Sequence, residues 1–193
     1  LLLLHAWGLI FGSMALFVWW PNPLTFLAAV MVIGARQLGL AILMHDAAHG
    51  LLHPNRRVNN LVGEYLCGAP VGTRLQAYRS YHLTHHRYTQ QPEDPDLALS
   101  AAFPTSRASL IRKVVRDLTG QTFVKQRGAQ LRAAFRPGQP GENARRFFAA
   151  QALLLALSLL VYGWQPFALW LAALATSYQL ASRIRNIAEH ACT

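Results

Sequence analysis

Apolar residues run almost unbroken from position 1 to position 20, relieved mainly by His5 and Ser13, and end in Trp19-Trp20 ahead of Pro21-Asn22-Pro23. A helix of that length measures roughly 30 Å, the thickness of a bilayer's hydrocarbon core. The paired tryptophans fall where an interfacial aromatic belt is expected. A secretory leader is the competing reading, but no basic start and no small-residue cleavage site accompany the run. Beyond the tight Pro-Asn-Pro turn a second apolar run covers 24–44, interrupted by Arg36 and Gln37. An arginine at that depth must snorkel or face a polar interior. Two further runs, 147–164 and 167–182, flank the turn at Gln165-Pro166. The pattern predicts an all-α membrane protein, a single domain over 1–193 with four transmembrane helices.

The stretch 45–146 is polar by comparison. Within it Leu110, Ile111, Val114, Val115 and Leu118 recur at helical spacing, with Arg112, Lys113 and Arg116 between them. That is an amphipathic helix, lying either on anionic lipid headgroups or against the rest of the polar region. Arg136-Pro-Gly-Gln-Pro-Gly141 reads as a loop.

Charge gives the pattern a direction. The formal net charge is +10, and 15 of the 18 basic residues lie between Arg56 and Arg146. Both hairpin turns are short and uncharged, so the positive-inside rule puts 45–146 in the cytoplasm as a helical cap on the spans. The expected location is a bacterial inner (cytoplasmic) membrane, which also suits a chain with 16 Arg and two Lys. A basic protein can bind nucleic acid, but runs this apolar make the charges membrane-flanking, and no nucleic-acid partner is expected. Cys67 and Cys192 have no metal-site spacing and are too few for a disulfide framework, so free thiols are expected.

The chemistry lies in the histidines. His45 and His49 are four residues apart at the end of the second run; His82, His85 and His86 come from one helical turn; His190 follows the fourth run, four residues after Asn186. Spacings of three and four put each group on one helix face, and the charge-derived topology brings all three to one side of the membrane. Converging neutral imidazoles form a site for iron, copper or zinc. Six exceed what one tetrahedral zinc takes and suit two metals. A zinc-protease helix would need Glu where Asp46 stands, haem ligands would sit singly in mid-span, and solvated histidines would not cluster. His53, just before the helix-ending Pro54, is expected behind the ligands or at the surface, and His5 within the first span.

The run His45-Asp-Ala-Ala-His49-Gly50, followed by Tyr81-His82-Leu-Thr-His85-His86-Arg87 and Glu93-Asp94-Pro95-Asp96, resembles the membrane fatty acid desaturase superfamily, as does Arg185-Asn186-Ile-Ala-Glu189-His190. The resemblance implies a di-iron centre with His45, His49, His82, His85, His86 and His190 as ligands and Asn186 binding metal through water. It also implies a last His-x-x-His-His box downstream, so the chain, which opens on Leu1 and stops three residues after His190, is expected to be a C-terminally truncated fragment. Asp46, Glu93, Asp94, Asp96 and Glu189 are candidates to hold the outer ring nitrogens; residues 93–96 read equally well as a polar turn. Tyr78, Tyr81 and Tyr88 line a substrate path or pack at the interface.

By the same resemblance, the expected activity is O2-dependent desaturation of an acyl lipid, with electrons from a ferredoxin- or cytochrome-type donor. Carotenoid ketolases and lipid hydroxylases share the histidine boxes and are the alternative, and a non-catalytic membrane binding module is the second.

Overall fold

The computed structural model describes residues 1–97 and 105–190, with the side chains of Gln139 and His190 left out. Among the described residues the regular structure is helical. The first two elements, α1 (Leu2–Trp19) and α2 (Pro23–His49), make a hairpin. Asn22 starts α2 by accepting hydrogen bonds from the backbone N–H groups of Leu24 and Thr25 at 2.9 and 3.1 Å, while the Thr25 hydroxyl accepts from Asn22 N. This is a reciprocal cap with Pro23 inside it, where its missing N–H costs nothing. At the other end Gly50, at φ +81, closes α2 in the left-handed conformation.

The chain continues through α3 (Arg56–Leu61), a π-helical turn at Val62–Gly68, α4 (Ala69–Val71) and α5 (Leu75–Tyr88). Beyond the undescribed residues come α6 (Arg107–Leu118), α7 (Gln121–Ala134), α8 (Gln139–Val161), α9 (Gln165–Ala175) and α10 (Ser177–His190). The amphipathic helix expected around 110–118 is α6. The loop expected over 136–141 is shorter than that, because Pro140 sits at the start of α8, where a proline is tolerated.

Helix α2 is the centre of the bundle, packing against α1, α5, the π-turn, α9 and α10. Ile10, Ile33, Leu40, Leu169, Trp170 and Leu174 form the main core, and Leu43, Met44, Ala47, Cys67 and Leu75 a second one beneath the histidine-bearing end. Arg36 and Gln37 part company: Arg36 is half-buried, whereas Gln37 is fully buried and donates to Trp170 O at 3.0 Å. Trp170 donates in turn to the Gln151 side chain at 2.9 Å, and Gln151 to Pro70 O at 2.9 Å. These polar ties cross an otherwise apolar interior, where an unmet donor would cost a few kcal/mol (about 1–3).

Three helices are long and apolar enough to cross a membrane: Leu2–Trp19, Pro23–His49 and Pro140–Val161. They carry exposed Leu4, Phe11, Leu27, Met31, Leu153 and Leu160 on their outer faces, the signature of a surface meant for lipid rather than water. The run expected to form one continuous crossing at 167–182 is instead divided between α9 and α10. At Thr176 the backbone leaves the helical region (φ −125, ψ −85), with its hydroxyl turned back to Ala172 O at 2.6 Å. Ser177 then donates to Val30 O at 2.7 Å. A Cβ on Gly34 would lie 2.0 Å from the Ser177 oxygen, so the break is where α10 lies directly on the backbone of α2. Hydropathy registers only the composition of this run, not the close contact that divides it.

Candidate metal centre

Each histidine group is placed by the helix that carries it. The i, i+4 spacing puts His45 and His49 on one face of the last turn of α2, with ring centroids 4.8 Å apart. Helix α5 presents His82 and His86 in the same way at 4.4 Å. The two helices then bring the pairs together: His82 Nε2 lies 3.0 Å from His49 Nε2 and 2.9 Å from His86 Nε2, and the His45 ring centroid is 4.5 Å from that of His82. One nitrogen from each of these four rings lies within 4.8 Å of all the others.

His82 is the centre of this group and is nearly buried. Burial, followed by the crowding of His45, His86, His49 and His85, pushes its pKa down to about 3. It is therefore neutral at physiological pH, the form in which imidazole binds a metal. The ring of Tyr78 stacks on it at 5.1 Å, nearly parallel.

His85, its ring centroid 5.6 Å from that of His86, belongs to a second group with Asp94 and Asp96. Its Nδ1 is 2.8 Å from Asp94 Oδ1 and 3.4 Å from Asp96 Oδ2. Asp94 also accepts from the backbone N–H groups of Gln90 at 2.9 Å and Asp96 at 2.8 Å. Burial raises the Asp94 carboxyl, but these hydrogen bonds outweigh it, His85 first, and hold the acid at about 2. Asp96 receives the Tyr81 hydroxyl, which also reaches Pro95 O at 3.1 Å; burial and then this hydrogen bond raise the Tyr81 pKa. The polar turn is thus two-faced, with Asp94 and Asp96 buried toward His85 and Glu93 exposed.

A cavity of about 530 Å³ opens over both groups, walled by the five clustered histidines, Tyr78, Tyr81 and Asp96 on one side. On the other side α10 contributes Arg185, Asn186 and Glu189. Asn186 and Glu189 therefore join the chamber that the sequence assigned them to, and Glu189 accepts from Arg185 Nε at 2.8 Å. Asp46 stands beside His45, 3.3 Å from its Nδ1. His190 ends α10, and its side chain lies outside the described residues. His53 is exposed and accepts from Asn55 N at 3.0 Å, away from the chamber.

The sequence reading missed the residues that fasten α5 to α2. Arg79, three positions before His82 and on the same helix face, donates from Nε to Ala48 O and from Nη2 to Ala47 O, both at 2.8 Å. Fully buried Asn59 donates to Ala47 O at 2.9 Å and accepts from Leu52 N at 3.0 Å. The last carbonyls of α2, which have no partner within the helix, are thereby filled, and a cation sits at the negative end of the helix dipole. The start of α5 is fixed as well: Leu75 N donates to buried Glu64 at 2.8 Å, and Glu64 pairs with Arg146 at 2.6 Å. The one available signal was a charged residue, Arg79, on the histidine face of α5.

Four clustered imidazole nitrogens with an adjacent histidine–carboxylate group form a donor set that fits iron. Comparison with known proteins agrees with that chemistry. The family model described as "Fatty acid desaturase" matches residues 17–193. Over 81 residues the chain is 44% identical to dihydrorhizobitoxine desaturase of Bradyrhizobium elkanii, covering 41% of this chain and 22% of that protein. Over 76 residues it is 32% identical to beta-carotene ketolase of Paracoccus sp. (strain PC1), covering 39% of this chain and 31% of the relative. The matched segments thus span less than a third of either relative. No solved structure matches the chain.

Proposed function

The chain belongs to the fatty acid desaturase family, a family of membrane-bound oxidoreductases, and from that premise we propose that it is an O2-dependent desaturase of an acyl lipid. In this reading His45, His49, His82, His85, His86 and His190 ligate two iron ions, with Asn186 holding a metal-bound water. The observation that carries the proposal is the convergence of His45, His49, His82 and His86 from two helices onto one point beside a cavity of about 530 Å³. The alkyl C–H bonds of an acyl chain are too weakly acidic for any side-chain base, so the oxidising power has to come from bound metal and dioxygen. The balanced reaction takes one hydrogen from each of two neighbouring carbons, consumes O2, two electrons and two protons, and yields a double bond and two waters.

This chain's own residues would orient and exclude. Asp94 fixes the ring of His85, and Tyr81 fixes Asp96. The low pKa of His82 keeps its nitrogen free of a competing proton. Arg79 holds α5 so that its imidazoles meet those of α2. Electrons would come from a ferredoxin- or cytochrome-type donor, which the basic region 45–146 would attract if the donor is acidic. The proposed setting is four crossings, the fourth run bent at Thr176, with the chamber on the cytoplasmic face of a bacterial inner membrane.

A second reading, ketolation or hydroxylation on the same chamber, is favoured by the identity to a beta-carotene ketolase. Metal analysis tests the common part: the full-length protein in detergent should carry about two irons, lost when His82, His85 and His86 are changed to Ala. Stoichiometric zinc, or a folded protein without metal, would sink the redox reading and favour a binding module. Lipid analysis of cells expressing the protein separates the reactions, through a new C=C bond or a new oxygen.

A further inference from the structure

Beyond the histidines the chamber has an annex. A second cavity of about 270 Å³ shares Thr73, Tyr178 and Ser182 with the chamber wall and is otherwise lined by Val71, Gly72, Gln126, Arg127 and Gln179. Its only cation is Arg127.

Arginines elsewhere around the site are matched. Arg183 pairs with Asp117, Arg185 with Glu189, Arg74 with Glu142, and Arg146 with Glu64 and Glu142. Arg79 directs its donors to carbonyl and amide oxygens at the end of α2. Arg127 has no carboxylate among the described residues. It donates to the amide oxygens of Gln130 and, at 3.3 Å, Gln126, and its Nε is buried with no partner. A guanidinium cannot shed its charge, and neutral amides compensate a partly buried cation poorly.

The position of Arg127 is nevertheless built. Its guanidinium lies 4.4 Å from the centroid of the Phe147 ring and 5.5 Å from that of Phe123, a stacked arrangement that orients the planar group. On another side it lies against Gly72, where φ is +89 and a Cβ would come within 2.3 Å of Nη1. Gln130, which receives Arg127, is itself tied to Gly72 O at 3.1 Å. Aromatic faces, a side-chain-free backbone and a braced amide hold one fixed positive charge at the wall of a cavity that shares three lining residues with the reaction chamber.

We infer that the annex receives an anionic oxygen terminus of the substrate, a carboxylate or a phosphate, on Arg127, while the substrate's alkyl part extends into the histidine chamber. This rests on the functional reading above and narrows it, because a carotene is a hydrocarbon with no such group to offer. Carboxylate and phosphate both match the guanidinium fork, and the probes below distinguish them.

The test is calorimetric titration of the full-length protein, as isolated in detergent, with octanoate, octyl phosphate and octanol, which share a chain and differ in the terminus. Wild type should bind at least one of the anions about tenfold or more tightly than octanol, the usual value of one charge-assisted contact. Tighter octanoate points to a free acid, and tighter octyl phosphate to a phospholipid headgroup. Arg127→Gln should bring the anion-to-alcohol ratio near one while leaving octanol binding unchanged, and Arg127→Lys, which keeps the charge but not the fork, should fall between. A ratio of one in wild type, or an unaltered ratio in either variant, overturns the inference. Iron measured on the same samples keeps the two ideas apart: iron without anion preference removes only the annex, whereas absence of iron removes the desaturase reading.

Discussion

At the junction of α5 with the end of α2, a guanidinium and a carboxamide fill the terminal carbonyls of α2 from inside the protein. At the junction of α10 with α6, one carboxylate–guanidinium pair, Asp117 with Arg183, carries the connection. The two helices so tied, α5 and α10, wall the same chamber. The first fixes four imidazoles with several buried hydrogen bonds and so sets their geometry before any metal arrives, as a demanding donor set requires. The second positions Asn186 and Glu189 through a pair whose arginine is a quarter exposed. The first junction is held by several buried hydrogen bonds, the second by one ion pair with a partly exposed arginine.

The sharpest way to break that contrast is Arg79→Ala. It leaves Ala48 O without its buried side-chain donor, while Ala47 O and the Asn60 side chain keep Asn59. An unmet buried acceptor and the lost hydrogen bonds of a charged donor cost about 1–3 kcal/mol each, so a loss of roughly 3 kcal/mol in detergent unfolding is expected, with iron content falling in parallel. Unchanged iron in Arg79→Ala would show that α5 is held in place by other contacts. Next in size is Asp94→Asn, which removes the charge that orients His85; partners of this kind are typically worth about 10–100-fold in metal affinity. Competition with a chelator measures it, and Glu93→Gln, one residue away but outward-facing, should leave affinity unaltered. Similar losses in both variants would make the turn a general electrostatic effect rather than a specific hydrogen bond.

Smallest is the second junction. Asp117→Asn should cost about 2 kcal/mol, less than a fully buried pair because Arg183 is partly solvated. Acid should act in the same direction. Burial pushes the Asp117 carboxyl up, but Arg183, then Thr122 and Arg116, hold it below the model-peptide value of 3.8. Its contribution is therefore complete above that value and is lost as the pH falls below it. In thermal melts taken downward from about pH 6, the gap between wild type and Asp117→Asn should begin to narrow once the pH passes below 3.8. Curves that stay parallel would rule out the pair as the acid-sensitive element.

Much of this architecture was legible in the order of residues, because it depends on local period. The first three apolar runs became helices at the expected places, and the spacings of four put His45 with His49 and His82 with His86 on single faces. The bend at Thr176 was not legible, since its cause is the approach of Ser177 to Gly34, far away in the chain. Arg79 and Asn59 were missed for the same reason: their partners are carbonyls 31–32 and 12 residues earlier, and a carbonyl leaves no trace in a side-chain pattern. Glu93, Asp94 and Asp96 looked equivalent on paper, and only the fold of the turn separates the two inward acids from the outward one. Arg127 was one basic residue among many until the acids that neutralise its neighbours could be identified.

The contact between Gly34 and Ser177 has a consequence for how this chain can vary. Position 34 lies within the apolar run of α2, well before its histidines, yet the separation of α2 from α10 there is set by a single hydrogen atom in place of a side chain. Since α10 is also the wall that carries Arg185, Asn186 and Glu189, the bulk of residue 34 and the width of the chamber are one variable. A methyl group at that depth would be a wedge driven at the foot of a hinged panel, pressing on Ser177 and the backbone of Tyr178 and altering the opening at the top without touching any of the histidines.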